Sequence, residues 1–135
     1  MQTRESRTKK RSGFSLVELV VVVLIMGILA AVAAPRMFDK MSEAKQSSTK
    51  QSLSVVRSAI ELYKLETGNY PADPSANLIT YLKGPFPTCE VLDSGNANVK
   101  VLATDPLAAT ADTESWIYNK TTGEFRINDG DHITW

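Results

Sequence analysis

The chain has 135 residues, with 15 basic and 15 acidic side chains and a formal net charge of zero, a length that fits one small domain. The body carries no basic stripe with interleaved aromatics, which excludes a nucleic-acid-binding reading for it. Cys89 is the only cysteine, so an intramolecular disulfide and a cysteine-based zinc site within one chain are excluded, and a buried, inert thiol is expected.

In chain order, residues 1–13 read as a polar leader. Arg4, Arg7, Lys9, Lys10 and Arg11 stand against Glu5, a net of +4 that the rest of the chain offsets with −4. This asymmetry fits a cytoplasmic basic end and an acidic body moved across a membrane. Residues 14–34, FSLVELVVVVLIMGILAAVAA, contain one charge, Glu18. As a helix they would measure about 31 Å, enough to span a hydrocarbon core. A lone carboxylate there is costly and marks a functional position. Pro35 lacks an N–H and clashes with the carbonyl of Ala31, so a kink or local opening is expected, with Gly27 weakening the same stretch. The competing reading is that Pro35 marks the membrane exit.

Residues 36–67 continue as an amphipathic helix. Leu53, Val56, Ile60 and Tyr63 recur at spacings of three and four, Ala59 and Leu62 widen the stripe, and Lys50, Arg57, Glu61 and Lys64 are expected to stay wet. Gly68 and Asn69 supply a C-cap signal and Pro71 blocks continuation. Both halves together would make one helix of about 80 Å. Residues 68–135 form the head, whose core needs the apolar face of that helix. Trp116–Tyr118 and Phe125–Ile127 flank a turn at Lys120–Gly123 and predict an antiparallel hairpin. A second hairpin is expected between Cys89–Leu92 and Val99–Leu102, and Ile133 and Trp135 alternate after a further turn. The fold class is α+β: a long N-terminal helix, transmembrane half plus amphipathic half, packed against a small antiparallel sheet of three to five strands.

Gly13-Phe14-Ser15-Leu16-Val17-Glu18, with the basic leader before it and Pro35 after the apolar run, resembles the processing site of type IV pilin-like precursors. That family includes type IV pilins and the pseudopilins of type II secretion. The resemblance implies cleavage after Gly13 by a membrane-embedded prepilin peptidase and methylation of the new amine of Phe14. The physics agrees, because a small residue before the scissile bond lets a protease approach an extended backbone. The freed amine is cationic at neutral pH. Glu18 can pair with it in the same chain or in a neighbour, and the resemblance favours the neighbour. The pair would then set subunit register, because a misdocked subunit leaves both charges bare. In filaments of related subunits the segment corresponding to Gly27–Pro35 can be stretched out. The resemblance implies a homopolymer, with an inner-membrane assembly platform and minor pilins or pseudopilins as partners and lipid as the environment before assembly. The subunit would be single-pass in a bacterial inner membrane, leader cytoplasmic and head periplasmic or extracellular, before entering the filament.

Small size and the missing disulfide favour a pseudopilin of type II secretion, which supports protein export. The alternative is a type IV pilus pilin serving adhesion, motility or DNA uptake. A remote alternative reads Ala31-Val32-Ala33 as a signal-peptide site releasing a secreted binding domain, but the apolar run is too long for that and contains Glu18. No enzyme is expected: the single histidine, His132, is accompanied by no nucleophile motif, phosphate loop or paired metal ligands. Some major pseudopilins hold calcium in an acidic C-terminal loop, and Asn128, Asp129 and Asp131 offer hard oxygen ligands, although turn chemistry alone explains the same residues.

Overall fold

The computed structural model describes residues 13–93, 95–110 and 112–135. Of the expected leader, only Gly13 lies among them. The chain divides into two compact units, one ending at Asp39 and one running Lys40–Trp135. Helix α1, Leu16–Thr67, runs through both, and its assignment is continuous across Gly27 and Pro35. Within the first unit it supplies a segment long and apolar enough to cross a membrane, with its large apolar side chains exposed.

In the second unit the helical stripe becomes a core wall. Leu53, Val56, Ala59 and Ile60 are buried against Leu78, Leu82, Cys89, Trp116, Tyr118, Phe125 and Ile127, and Tyr63 packs at the margin. Leu62 does not join them and faces outward. The helix ends where expected: Gly68 sits at φ +81° and its N–H reaches Lys64 O at 2.8 Å, the left-handed cap that glycine favours. A short helix α2, Pro74–Asn77, follows, capped by the Asp73 carboxylate accepting from Ser75 N at 2.9 Å.

Three strands complete the head: β1 (Val99–Leu102), β2 (Trp116–Asn119) and β3 (Phe125–Ile127), in the order β1-β2-β3. β2 and β3 form the expected antiparallel hairpin, with Trp116 opposite Ile127 and Tyr118 opposite Phe125. The sheet is mixed, however, because β1 pairs with β2 in parallel. Residues 103–115 cross over instead of turning back, a connection of the length that parallel pairing needs. Buried Leu107 anchors this crossover, as do hydrogen bonds from Asn119 Nδ2 to Thr104 O at 2.8 Å and from Thr110 N to Asn128 Oδ1 at 2.7 Å. The expected hairpin through Cys89–Leu92 is instead a compact loop, closed by Cys89 N to Asn96 O and Gly95 N to Leu92 O. Ile133 lies in a turn and Trp135 follows it, its N–H donating to His132 O, so neither is on a strand.

The β2–β3 turn depends on Gly123, at φ +79°. A Cβ there would lie 2.2 Å from Cε1 of Tyr70, whose ring is held by Lys64 Nζ donating to its hydroxyl at 2.8 Å. Gly123→Ala combines backbone strain with a clash and should cost about 1–3 kcal/mol. A thermal melt checks this, with Gly130→Ala, where a Cβ meets nothing within 4 Å, melting close to wild type.

Arg57 departs from its expected wet position. Its guanidinium donates from Nε and Nη2 to Phe125 O at 3.0 and 2.8 Å and from Nη2 to Trp135 O at 2.6 Å. Burial and the facing Arg126 hold its pKa below the ordinary value, with Glu124 opposing them; it remains a cation. Charge-assisted bonds to carbonyls are roughly twice as strong as neutral ones. Arg57→Met keeps the stem, loses all three bonds, and should lower stability by about 2–4 kcal/mol in a denaturant titration.

Candidate functional site

The processing junction is laid out at the start of α1. Gly13 is exposed, and no atom lies within 4 Å of where its Cβ would be. Phe14 is 84% exposed, and residues 13–15 are not helical. The Gly13–Phe14 bond therefore lies exposed, ahead of a helix that begins only at Leu16. Ser15 O accepts the first helical bond, from Leu19 N at 3.2 Å. The Glu18 carboxylate turns back to accept from Ser15 N at 2.9 Å. This is one half of a capping box, in which the acid of S-x-x-E serves an orphan donor at the helix start. The spacing Ser15-Leu16-Val17-Glu18 is the sequence signal for this bond, which the residue types alone do not reveal.

Glu18 therefore has a partner in the uncleaved chain. Its acceptor atom already lies against the amide next to Phe14, so cutting after Gly13 would create an ammonium one residue away from it. In apolar surroundings an anion opposite a cation is much better satisfied than one opposite a neutral amide. Gly27 and Pro35 lie farther along the same exposed segment, and a Cβ at Gly27 would meet nothing within 4 Å.

The remaining candidates are spoken for locally. Asn128, 7% exposed, accepts through Oδ1 from Thr110 N and Oγ1 at 2.7 and 3.1 Å and donates from Nδ2 to Glu114 O at 2.8 Å. Its amide pins the crossover to the end of β3. Asp129 contacts His132 Nδ1, and the His132 ring stands edge-on to Trp135 with centroids 4.6 Å apart. Asp131 is exposed. Among the described residues no group of three or more His, Cys, Asp or Glu is placed to hold a metal ion. Cys89 is buried, and burial pushes its thiol pKa up, which keeps it protonated and unreactive. Burial also raises the Tyr118 phenol, whose hydroxyl donates to Pro71 O at 3.0 Å.

Residues 8–34 match the prokaryotic N-terminal methylation motif, and residues 36–109, more than half of the chain, match type II secretion system protein G. Among curated proteins, type II secretion system core protein G of Pseudomonas aeruginosa is 38% identical over 64 residues, covering 47% of this chain and 45% of that protein. The protein of the same name from Aeromonas hydrophila is 33% identical over 63 residues, covering 47% and 44%. Fimbrial protein EcpC of Eikenella corrodens is 30% identical over 95 residues, covering 70% and 62%. The chain thus spans less than half the length of the first two relatives. No solved structure matches it. With the methylation motif at the junction, an α+β head behind a long apolar helix, and a family match across more than half its length, the chain belongs to the type II secretion system protein G family.

Proposed function

We propose that the chain is the precursor of a structural subunit of a type II secretion pseudopilus. It is cut after Gly13, methylated on Phe14, and polymerised through its N-terminal helix to support protein export. The observation that carries this is the junction itself: an exposed Gly13–Phe14 bond ahead of a membrane-length apolar helix, with Glu18 bonded one residue beyond the new terminus. Before assembly the subunit is anchored in the inner membrane, basic leader in the cytoplasm and head outside. Its partners are a prepilin peptidase, the assembly platform, minor pseudopilins and further copies of itself. Its role is not catalytic. Mass spectrometry of the mature protein tests the reading: it should begin at methylated Phe14, and a start at Ala34 or an uncut leader overturns it.

The fimbrial relative, matched over 70% of this chain, favours a second reading as a type IV pilin. Location separates the two: a pilin is recovered in sheared surface fibres, a pseudopilin in a short periplasmic filament. Calcium binding by Asn128, Asp129 and Asp131 has a separate outcome. With Asn128 Oδ1 already accepting two bonds from Thr110, adding calcium to millimolar levels should leave the melting temperature of the head unchanged. A rise that a chelator reverses would restore the site.

A further inference from the structure

Residues 129–135 are attached to the head differently from the strands before them. Every residue of β2 is buried, as are Phe125 and Ile127 of β3. Asn128 is the last buried position. Its side chain holds Thr110 N and Glu114 O, and its N–H donates to Ser115 O at 2.9 Å. Beyond it no residue is buried, and Gly130 has open space around it. The backbone bonds of this stretch, His132 N to Asp129 O at 3.3 Å and Trp135 N to His132 O at 3.1 Å, stay within it. Its ties to the rest of the head run through side chains. Arg126 Nη1 donates to Ile133 O at 2.7 Å, and Arg57 Nη2 bridges Phe125 O and Trp135 O. The Trp135 ring has Lys50 Nζ over it, 4.2 Å from the centroid, and the His132 ring edge-on at 4.6 Å. It lines a cleft with Leu53, itself 2% exposed. A segment with so little buried area has a low local opening free energy.

We propose that residues 129–135 form a strap that opens and closes as one unit about Asn128 while the rest of the head stays folded, with the Trp135 ring as its lock. Opening breaks only the contacts named above. It bares Leu53 and releases Arg57 Nη2 and Arg126 Nη1 from the strap's carbonyls. The cleft beside α1 then gains an apolar floor and two guanidinium donors that the closed head hides. Because the ring lies at the far end of the strap from Asn128, its seating sets the opening of every residue between them. The strap works within one head and does not depend on how subunits assemble.

Hydrogen exchange of the detergent-solubilised full chain, read amide by amide, tests this. In wild type the His132 and Trp135 amides should exchange together, at least about a hundredfold faster than those of β2. Lys50 is exposed, and Lys50→Met removes only the cation over the ring. It should speed the His132 amide about two- to fivefold. Trp135→Ala removes the lock and should speed the same amide, three residues away, at least about tenfold. Both variants should leave the β2 amides at the wild-type rate. A His132 amide as slow as β2 means that the strap never opens alone. A His132 amide that neither substitution moves means that these residues fray one by one without a lock. β2 amides that speed up in step with His132 place Trp135 in the core. Each of these three results overturns the proposal.

Discussion

In Glu18→Val, subunits beginning at Phe14 are expected to accumulate while filament yield falls at least about tenfold. The variant leaves Gly13 and Phe14 intact, so cutting proceeds. What it removes is the carboxylate now resting on Ser15 N. Two contributions are lost, and their sizes differ. As a helix cap the carboxylate is worth about 0.5–2 kcal/mol, too little to unfold an apolar helix held by its surroundings. As the partner of an ammonium in a low-dielectric filament interior it offsets a penalty of several kcal/mol, and several kcal/mol is at least a tenfold change in an assembly equilibrium. Glu18→Gln separates the two, since an amide oxygen can still accept from Ser15 N but carries no charge. Gln is expected to fail as Val does. Wild-type filament yield from Val would sink the pairing, and wild-type yield from Gln alone would reduce Glu18 to a cap.

What the sequence made legible follows from periodicity and local chemistry. Leu53, Val56 and Ile60 could be placed in the core because a 3.6-residue repeat reports a face. The antiparallel pairing of Trp116–Tyr118 with Phe125–Ile127 could be anticipated because a short turn joins the two segments. The parallel pairing of β1 could not, because it is decided by the path of residues 103–115, which has no period and is pinned by the side chains of Asn119 and Asn128. Arg57 looks solvated from sequence because helical position gives the direction of a side chain and not what stands there; its acceptors are 68 and 78 residues away. At the junction the residue types were legible from the motif, and the bond from Ser15 to Glu18 was legible in principle from S-x-x-E spacing. The outward Leu62 was not, since amphipathic stripes have edges that only the packed partner defines.

Trp116→Ala is expected to lower the stability of the head by about 3–5 kcal/mol. Trp116 has no exposed surface and stacks on Phe125 with ring centroids 5.2 Å apart. Its Nε1 donates to Pro87 O at 3.0 Å, tying β2 to the loop after α2. Truncation opens a large cavity, ends the stacking and strands a carbonyl. Trp116→Phe keeps an aromatic surface but no donor, so its cost should be smaller, about 1–3 kcal/mol. A domain of this size has about 5–15 kcal/mol in hand, so the alanine variant should melt far below wild type or populate unfolded head at growth temperature. Circular dichroism melts of the detergent-solubilised chain read this directly, and an alanine variant within about 1 kcal/mol of wild type would contradict the packing. The same melts make a sharper comparison with the junction. Glu18 belongs to the unit ending at Asp39 and Trp116 to the unit Lys40–Trp135. Glu18→Val should therefore leave the head's melt where wild type has it, losing assembly without losing the fold, and Trp116→Ala should lose the fold while Gly13–Phe14 is still cut.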